Sequence, residues 1–437
     1  MRYILLLILS VFMVACSSRD ADEKPLAGER ISVLDLQRGL VEQLDQEQAA
    51  NITIPHPVTN REWPQAGGYP HHAMQNLAFG EKAQLEQIWK NSIGKGGSKQ
   101  LPLTARPVIG DGRVYTLDSY SRLSAFHDQT GKLLWEKSVQ HLVEKDPVIT
   151  GGLAYNNGVV FATNGYNEAL ALSAQDGEII WRTPLQASSR AAPTIKNGRV
   201  YVVQMNNNVT ALNAADGSVL WEHEGIAEST GLLGGASPAA DDTIILAALS
   251  SGEMTALRPE NGSQLWTDNL SGVNRFSGLS SLSDIKALPI LVGNIAIGVS
   301  YGGKMVAIDK ATGARLWQVN ISSSETPWVA GETIYVVTAR NQLLSVNLYN
   351  GKVLWIVDLP QYADGDKKRD VMNWLSPLIG GGRIIIASSN GQINEYDPRN
   401  GALLASWSVG RPLSIAPILS NGALYIITDE GQLLAYR

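Results

Sequence analysis

The chain has 437 residues, of which 44% are hydrophobic and 17% charged, so a sizeable core is available and a solvated, disordered chain is excluded. Lys and Arg number 35 against 41 Asp and Glu, a net charge of −6, which leaves no basic excess for a phosphate backbone and argues against nucleic acid as a partner. A single Cys excludes a disulfide scaffold and a Cys-rich metal centre.

The N-terminus reads as an export signal. Arg2 precedes an almost unbroken apolar run from Tyr3 to Val14, too short for a comfortable membrane span. Met13-Val14-Ala15-Cys16 then resembles a bacterial lipobox, with residues 1–15 as signal peptide and Cys16 as the acylated first residue. The lone Cys supports this, because an exported chain permits disulfides and has no second thiol to form one. Several acyl chains anchor firmly where one does not. Ser17 after the Cys resembles an outer-membrane address, and so the expected location is the periplasmic face of the outer membrane.

Residues 16–60 read as lipidated N-terminus, tether and short extension. Within them, Val33, Leu36, Leu40, Val41 and Leu44 recur at near-helical spacing, which predicts a short helix over 32–48. Pro55, Pro57 and Pro64 break regular structure after it, and this region is expected to run extended over the surface of the main domain. Trp63, Tyr69, His71 and His72 would then pack on the first blade.

From residue 61 to 437 the chain is a repeat. One unit recurs, a small-apolar pair followed by a polar turn, Gly, three residues and Trp: Ala125-Phe126, Gly131, Trp135; Ala171-Leu172, Gly177, Trp181; Ala211-Leu212, Gly217, Trp221. It continues through Trp266, Trp317 and Trp355, and degenerates at Glu395-Tyr396, Gly401, where Trp407 is displaced by two. Each interval also holds an apolar stretch after a Pro, an Asp-Gly or Asn-Gly turn, and a β-branched strand such as Arg199-Val200-Tyr201-Val202-Val203. Four short strands per unit of about 45 residues is the signature of a β-propeller. Trp89 has no complete unit before it, and the C-terminal strands ending in Leu433-Leu434-Ala435-Tyr436 have no Trp strand after them. The expected fold is therefore all-β, an eight-bladed propeller of four-stranded antiparallel blades closed by the strand near Trp89 joining the C-terminal strands. Trp89, Trp135, Trp181, Trp221, Trp266, Trp317, Trp355 and Trp407 share one repeat position, which is a packing role between blades rather than a ligand platform.

Catalytic chemistry is not visible. No His pair has metal-ligand spacing, Asp128, Asp176, Asp216 and Asp309 belong to turns, and the Gly-Gly pairs lack the Lys-Ser/Thr of a phosphate loop. No catalytic residue, metal or cofactor is expected. Asp364-Gly365-Asp366, followed by Lys367-Lys368-Arg369, reads as a charged loop tip within the long loop 358–374. The stretch from Leu270 to Leu288 is the longest insertion between strands, and Arg275-Phe276 puts a cation and an aromatic on it, a plausible partner anchor.

The repeat resembles that of pyrroloquinoline-quinone-like propellers. The whole chain, lipobox included, most resembles the lipoprotein B family of the outer-membrane β-barrel assembly machinery, over residues 61 to 437. That resemblance implies a non-enzymatic scaffold, monomeric alone, that binds the POTRA domains of the central barrel subunit and helps fold and insert unfolded outer-membrane proteins. It implies contacts from two rim loops. In one, before Pro238, Leu232 keeps the family's apolar contact and Leu233 stands where the family has Arg. In the other, before Pro289, Asp284 matches the acidic contact and Lys286 reverses the charge of the second. Two alternatives come from other classes: a periplasmic quinone-dependent dehydrogenase, which needs a funnel acid beside a bound cation, and a carbohydrate- or peptidoglycan-binding lipoprotein, which needs Trp exposed in the funnel.

Overall fold

The structure is a computed structural model and describes residues 44–45, 51–80, 85–144, 146–227, 232–271 and 284–437. Cys16 and the signal segment, and Arg275 and Phe276, lie outside the described residues. Of the predicted helix over 32–48 only Leu44 and Asp45 are described, and Leu44 makes an isolated parallel bridge to Val353 instead of a helical turn. Among the described residues there is no helix.

Eight four-stranded antiparallel sheets follow one another along the chain as blades I (108–138), II (153–184), III (194–223), IV (239–269), V (290–319), VI (328–358), VII (378–408) and VIII. Blade VIII takes its three inner strands from Ile418–Ser420, Ala423–Ile427 and Gln432–Tyr436 and its outer strand from Gln87–Ser92. Reciprocal bonds between Glu86 and Arg437, each 3.0 Å, hold the two chain segments where the other blades have a covalent turn. The strands of each blade are named A to D outward. A–B and C–D turns then lie on one face, and B–C turns and D–A loops on the other. The pairs Asp111-Gly112, Asn157-Gly158, Asn197-Gly198 and Asn421-Gly422 fall in A–B turns with both residues at positive φ, for instance Asn197 at 50° and Gly198 at 72°. An additional hairpin, Tyr362–Asp364 with Arg369–Val371, carries the charged tip in the loop between blades VI and VII.

The repeat signature has a direct packing cause. The Trp on strand D of each blade lies against the C–D turn Gly of the next: Trp89 on Gly131, Trp135 on Gly177, Trp181 on Gly217, Trp221 on Gly262, Trp266 on Gly313, Trp317 on Gly351 and Trp355 on Gly401. Each of these indoles also donates Nε1–H to a backbone carbonyl of that next blade, from Trp89 to Asp128 (2.9 Å) round to Trp355 to Pro398 (3.1 Å). Gly is needed because any side chain there would occupy the ring's place. Trp407 does not join the series. Blade VIII has a chain break where its C–D turn would be, so no turn glycine awaits a ring from blade VII. Ala405 takes the register position, opposite Glu395, while Trp407 donates to Glu395 of its own blade at 3.3 Å and packs on Tyr436 at 5.1 Å. Seven tryptophans thus seat on a turn glycine of the next blade, and Trp407 meets blade VIII through Tyr436 instead.

The extension before the propeller departs from expectation most. It does not lie on the outer surface or on the first blade alone. Residues 60–77 make one full circuit over the innermost strands, bonding all eight blades in order. Asn60 meets Leu419 and Asn421 of blade VIII, Trp63 pairs both ways with Ile109 of blade I, and Pro64 accepts from Tyr155 of blade II. The Gln65 amide bonds Ile195 of blade III at both ends, Pro70 accepts from Ala240 of blade IV, and His71 from Leu291 of blade V. Gln75 accepts from Trp328 and Gly331 of blade VI, and Leu77 pairs with Ile379 and Gly381 of blade VII. The circuit closes on itself where Val58 bonds Asn76 and Ala78. Trp63, Met74, Leu77 and Phe79 are buried in it. Because the blades are met near the ends of their A strands that lead into A–B turns, this strap closes the channel on the A–B face.

Candidate functional site

With one face strapped, the opposite face carries the longer D–A loops and the exposed apolar side chains of its half of the ring. Tyr120, Leu142, Val143, Met205, Ile226 and Leu233, on loops of blades I to IV, are between 42% and 84% exposed. Burying such residues is favourable by about 25 cal/mol per Å² of apolar surface, so these loops carry apolar surface that a contact could cover.

The four described residues expected at the partner surface fall together on this face. The D–A loops III–IV and IV–V are joined by a hydrogen bond from the Leu232 amide to Asp284 Oδ2. Leu233 points outward, 44% exposed, and a Cβ on Gly234 would stand 3.2 Å from Lys286 Cε, so the lysine stem lies along the first loop. Asp284 is turned inward and only 7% exposed. Burial raises its pKa, opposed by the Leu232 amide and by Lys286. An inward carboxylate that holds the Leu232 amide positions the neighbouring loop, and leaves Leu233 exposed and Lys286 partly exposed beside it.

Inside the ring of loops, the channel opens as a funnel of about 210 Å³ floored by Ala66 of the strap. Its throat is built from one repeat position, the residue just before each A strand or its leading Pro: Arg106, Gly152, Ala192, Ser237, Leu288, Thr326, Ser376 and Ala416. Seven are uncharged and Arg106 is the exception. Its guanidinium donates to Ala66 O (3.4 Å) and Ser376 Oγ (3.1 Å), and Ser376 donates in turn to Glu325 (2.8 Å). Burial lowers the Arg106 pKa, with Glu325 opposing. This position is legible in the sequence as the residue before a recurring Pro, but its meaning as a throat requires the ring.

Groups that could serve catalysis are placed otherwise. Asp176, Asp216 and Asp309 cap C–D turns through residues 178, 218 and 312, and hydrogen bonds lower their pKa values, from Ser173 and then Glu178 for Asp176, from Ser218 for Asp216 and from Thr312 for Asp309. Glu168 is held by Arg182 at 2.8 Å and Glu395 by Arg383 at 3.0 Å. Among the described residues no three His, Cys, Asp or Glu side chains come close enough to share a metal ion.

Comparison with known proteins adds family and fold. The sequence matches the family described as outer membrane protein assembly factor BamB over residues 79–157 and 147–357. The assembly factor BamB of Alkalilimnicola ehrlichii is 26% identical over 207 residues, 47% of this chain and 52% of that one. That of Moranella endobia is 21% identical over 360 residues, 81% of this chain and 90% of that one. The chain thus aligns with about half the length of the first of these relatives and with most of the second. Among solved structures, BamB from Moraxella catarrhalis superposes with a TM-score of 0.69 at 18% identity, covering 81% of this chain and all of that one. Quinohemoprotein alcohol dehydrogenase from Comamonas testosteroni superposes at 0.68 with 13% identity, covering 92% and 84%. At such identities the superpositions speak for the propeller alone, which the two share.

Proposed function

Since this chain belongs to the family of outer membrane protein assembly factor BamB, we propose that it is a non-enzymatic scaffold anchored through Cys16 at the periplasmic face of the outer membrane. It binds the POTRA domains of the central barrel subunit and assists insertion of outer-membrane proteins. The observation that supports this reading best is the pair of D–A loops III–IV and IV–V, locked to each other by Asp284 and presenting Leu233 and Lys286 among exposed apolar side chains. A bond already made between Leu232 and Asp284 lowers the ordering cost of docking at these residues, and an exposed Leu beside a cation suits a partner with an apolar patch edged by acid. Funnel chemistry does not favour the dehydrogenase reading, because Glu325, the one carboxylate of the funnel lining among the described residues, is already engaged by Ser376. The sugar-platform reading needs indoles in the funnel, and seven of the repeat tryptophans are inserted between blades.

Co-purification from detergent-solubilised envelopes with a tagged chain tests the proposal. Leu233→Asp is expected to lose the barrel subunit while retaining wild-type melting, and Asp284→Arg, which removes the brace on the Leu232 loop and buries a cation, is expected to lose it with lowered melting. Full recovery with both variants rejects this surface.

A further inference from the structure

The funnel is more than the hole that a ring leaves. Where it narrows, a slot of about 20 Å³ continues from it past Arg106, Thr326 and Ala416, residues that line both spaces. Two polar atoms of rings lining this slot, Trp63 Nε1 and His72 Nε2, are buried and bond no protein atom. Their chemical senses are fixed. The indole can only donate. His72 Nδ1 lies 2.7 Å from Pro289 O, which must receive a proton, and burial lowers the ring's pKa to about 4, so Nε2 is a bare acceptor at neutral pH. A buried donor and a buried acceptor left unpaired each cost free energy, on the order of 1–3 kcal/mol. They sit beside the one charged residue of the throat. Two N–H donors of Arg106 are used by Ala66 and Ser376, and a guanidinium has five. Arg190 and Lys286 line the funnel above it, against the engaged Glu325.

We infer that the strapped funnel is a binding site for a small carboxylate bearing an adjacent O–H or N–H donor. The carboxylate is held by Arg106 and the Trp63 indole N–H, with Arg190 and Lys286 at the entrance, and the donor meets His72 Nε2. The slot's walls favour a flat head group over a tetrahedral one: Trp63 and Trp328 are stacked with centroids 6.1 Å apart, and Pro327, Pro377 and Pro417 complete them. The strap is essential to the site because it brings both Trp63 and His72, and without it the channel has no floor. Lys286 is shared with the docking surface, but the site stands on Arg106, Trp63 and His72 and needs no protein partner.

The required chemistry is offered by a free hydroxy acid and by the carboxyl end of a polypeptide, whose last amide is the donor. L-lactate and N-acetylglycine stand for the two sources, with acetate and inorganic phosphate as controls. The full chain, labelled with ¹⁵N at tryptophan, is titrated by calorimetry and by following the Trp63 indole resonance, assigned with Trp63→Phe. One or both of the first two probes are expected to bind saturably and move that resonance, and the tighter one names the source. Acetate, which lacks the adjacent donor, should bind at least about tenfold more weakly, as a lost hydrogen bond to a buried group requires, and phosphate, which keeps an O–H, should bind as weakly because its tetrahedral shape does not suit the slot's walls. Arg106→Gln and Arg190→Gln are each expected to weaken binding about tenfold, the effect of removing one charge-assisted bond. Arg190 has no bond to the strap, so its variant decides the matter if Arg106→Gln fails to fold. No saturable heat and no Trp63 shift up to roughly 50 mM of either probe, a range in which even weak subsites fill, would overturn the assignment. Equal affinity for phosphate or acetate, or unchanged affinity in Arg190→Gln, would do so as well.

Discussion

Two glycines with the same backbone conformation separate the inter-blade joint from ordinary turn strain. Gly351 and Gly198 both have φ of +72°. A Cβ on Gly198 would meet nothing within 4 Å, while one on Gly351 would stand 2.7 Å from Cδ2 and Cε3 of Trp317. Substituting Ala at either forces an L residue into the left-handed region, at roughly 1–2 kcal/mol. At Gly351 the methyl must also displace a packed indole whose Nε1 donates to Leu348 at 2.8 Å, and overpacking of this kind costs typically about 1–3 kcal/mol more. Gly198→Ala is therefore expected to lose about 1–2 kcal/mol and Gly351→Ala about 2–5 kcal/mol. Urea unfolding followed by circular dichroism measures both. Equal losses in the two variants would refute the reasoning that these glycines exist to seat the neighbouring blade's tryptophan.

The strap and its histidine make further predictions. Leu77 is 1% exposed and pairs with blade VII, so Leu77→Ala should cost about 2–5 kcal/mol in the same urea assay. A loss below about 0.5 kcal/mol, the usual range of surface substitutions, would return the strap to the status of a surface tail. His72 has a folded pKa lowered by burial to about 4 from an ordinary 6.5. Its contribution to stability is thus fully present above pH 6.5 and is lost as pH falls through 4, amounting to about 3 kcal/mol. Unfolding free energy measured between pH 7 and pH 4 should show this fall in the wild type and a much shallower one in His72→Asn. Parallel profiles would contradict the burial of a neutral imidazole.

The blades were legible because their causes are local and repeated. Asn-Gly pairs demand a positive-φ turn, β-branched runs demand strands, and the Gly-to-Trp spacing recurs because each Gly seats the ring of the blade before it. The ring's closure was legible for the same reason, since an unmatched Trp89 strand and three unmatched C-terminal strands complete each other. The strap was not. Residues 60–77 carry no period, because each contact answers a different blade, and Pro55, Pro57 and Pro64 read as breakers rather than as parts of an extended circuit. Trp407 packs on the next blade as its repeat position suggests, but its displacement by two follows from a turn that blade VIII lacks, which the sequence does not show. At the rim, Leu232, Leu233, Asp284 and Lys286 could be named in advance, but only the fold shows that Asp284 faces inward to brace the Leu232 loop. Arg106 lay in view as one more residue before a proline until eight such residues were seen to form one throat.

Direct titration of the purified chain with the POTRA domains of its cognate central barrel subunit tests the scaffold reading most sharply. One-to-one saturable binding is predicted, weakened at least about tenfold by Leu233→Asp, as expected for an apolar anchor replaced by a charge. Leu404→Asp should leave it intact, for Leu404 is equally exposed (51%) but lies on an outer strand. No binding by the wild type, or equal binding by wild type and Leu233→Asp, would contradict it.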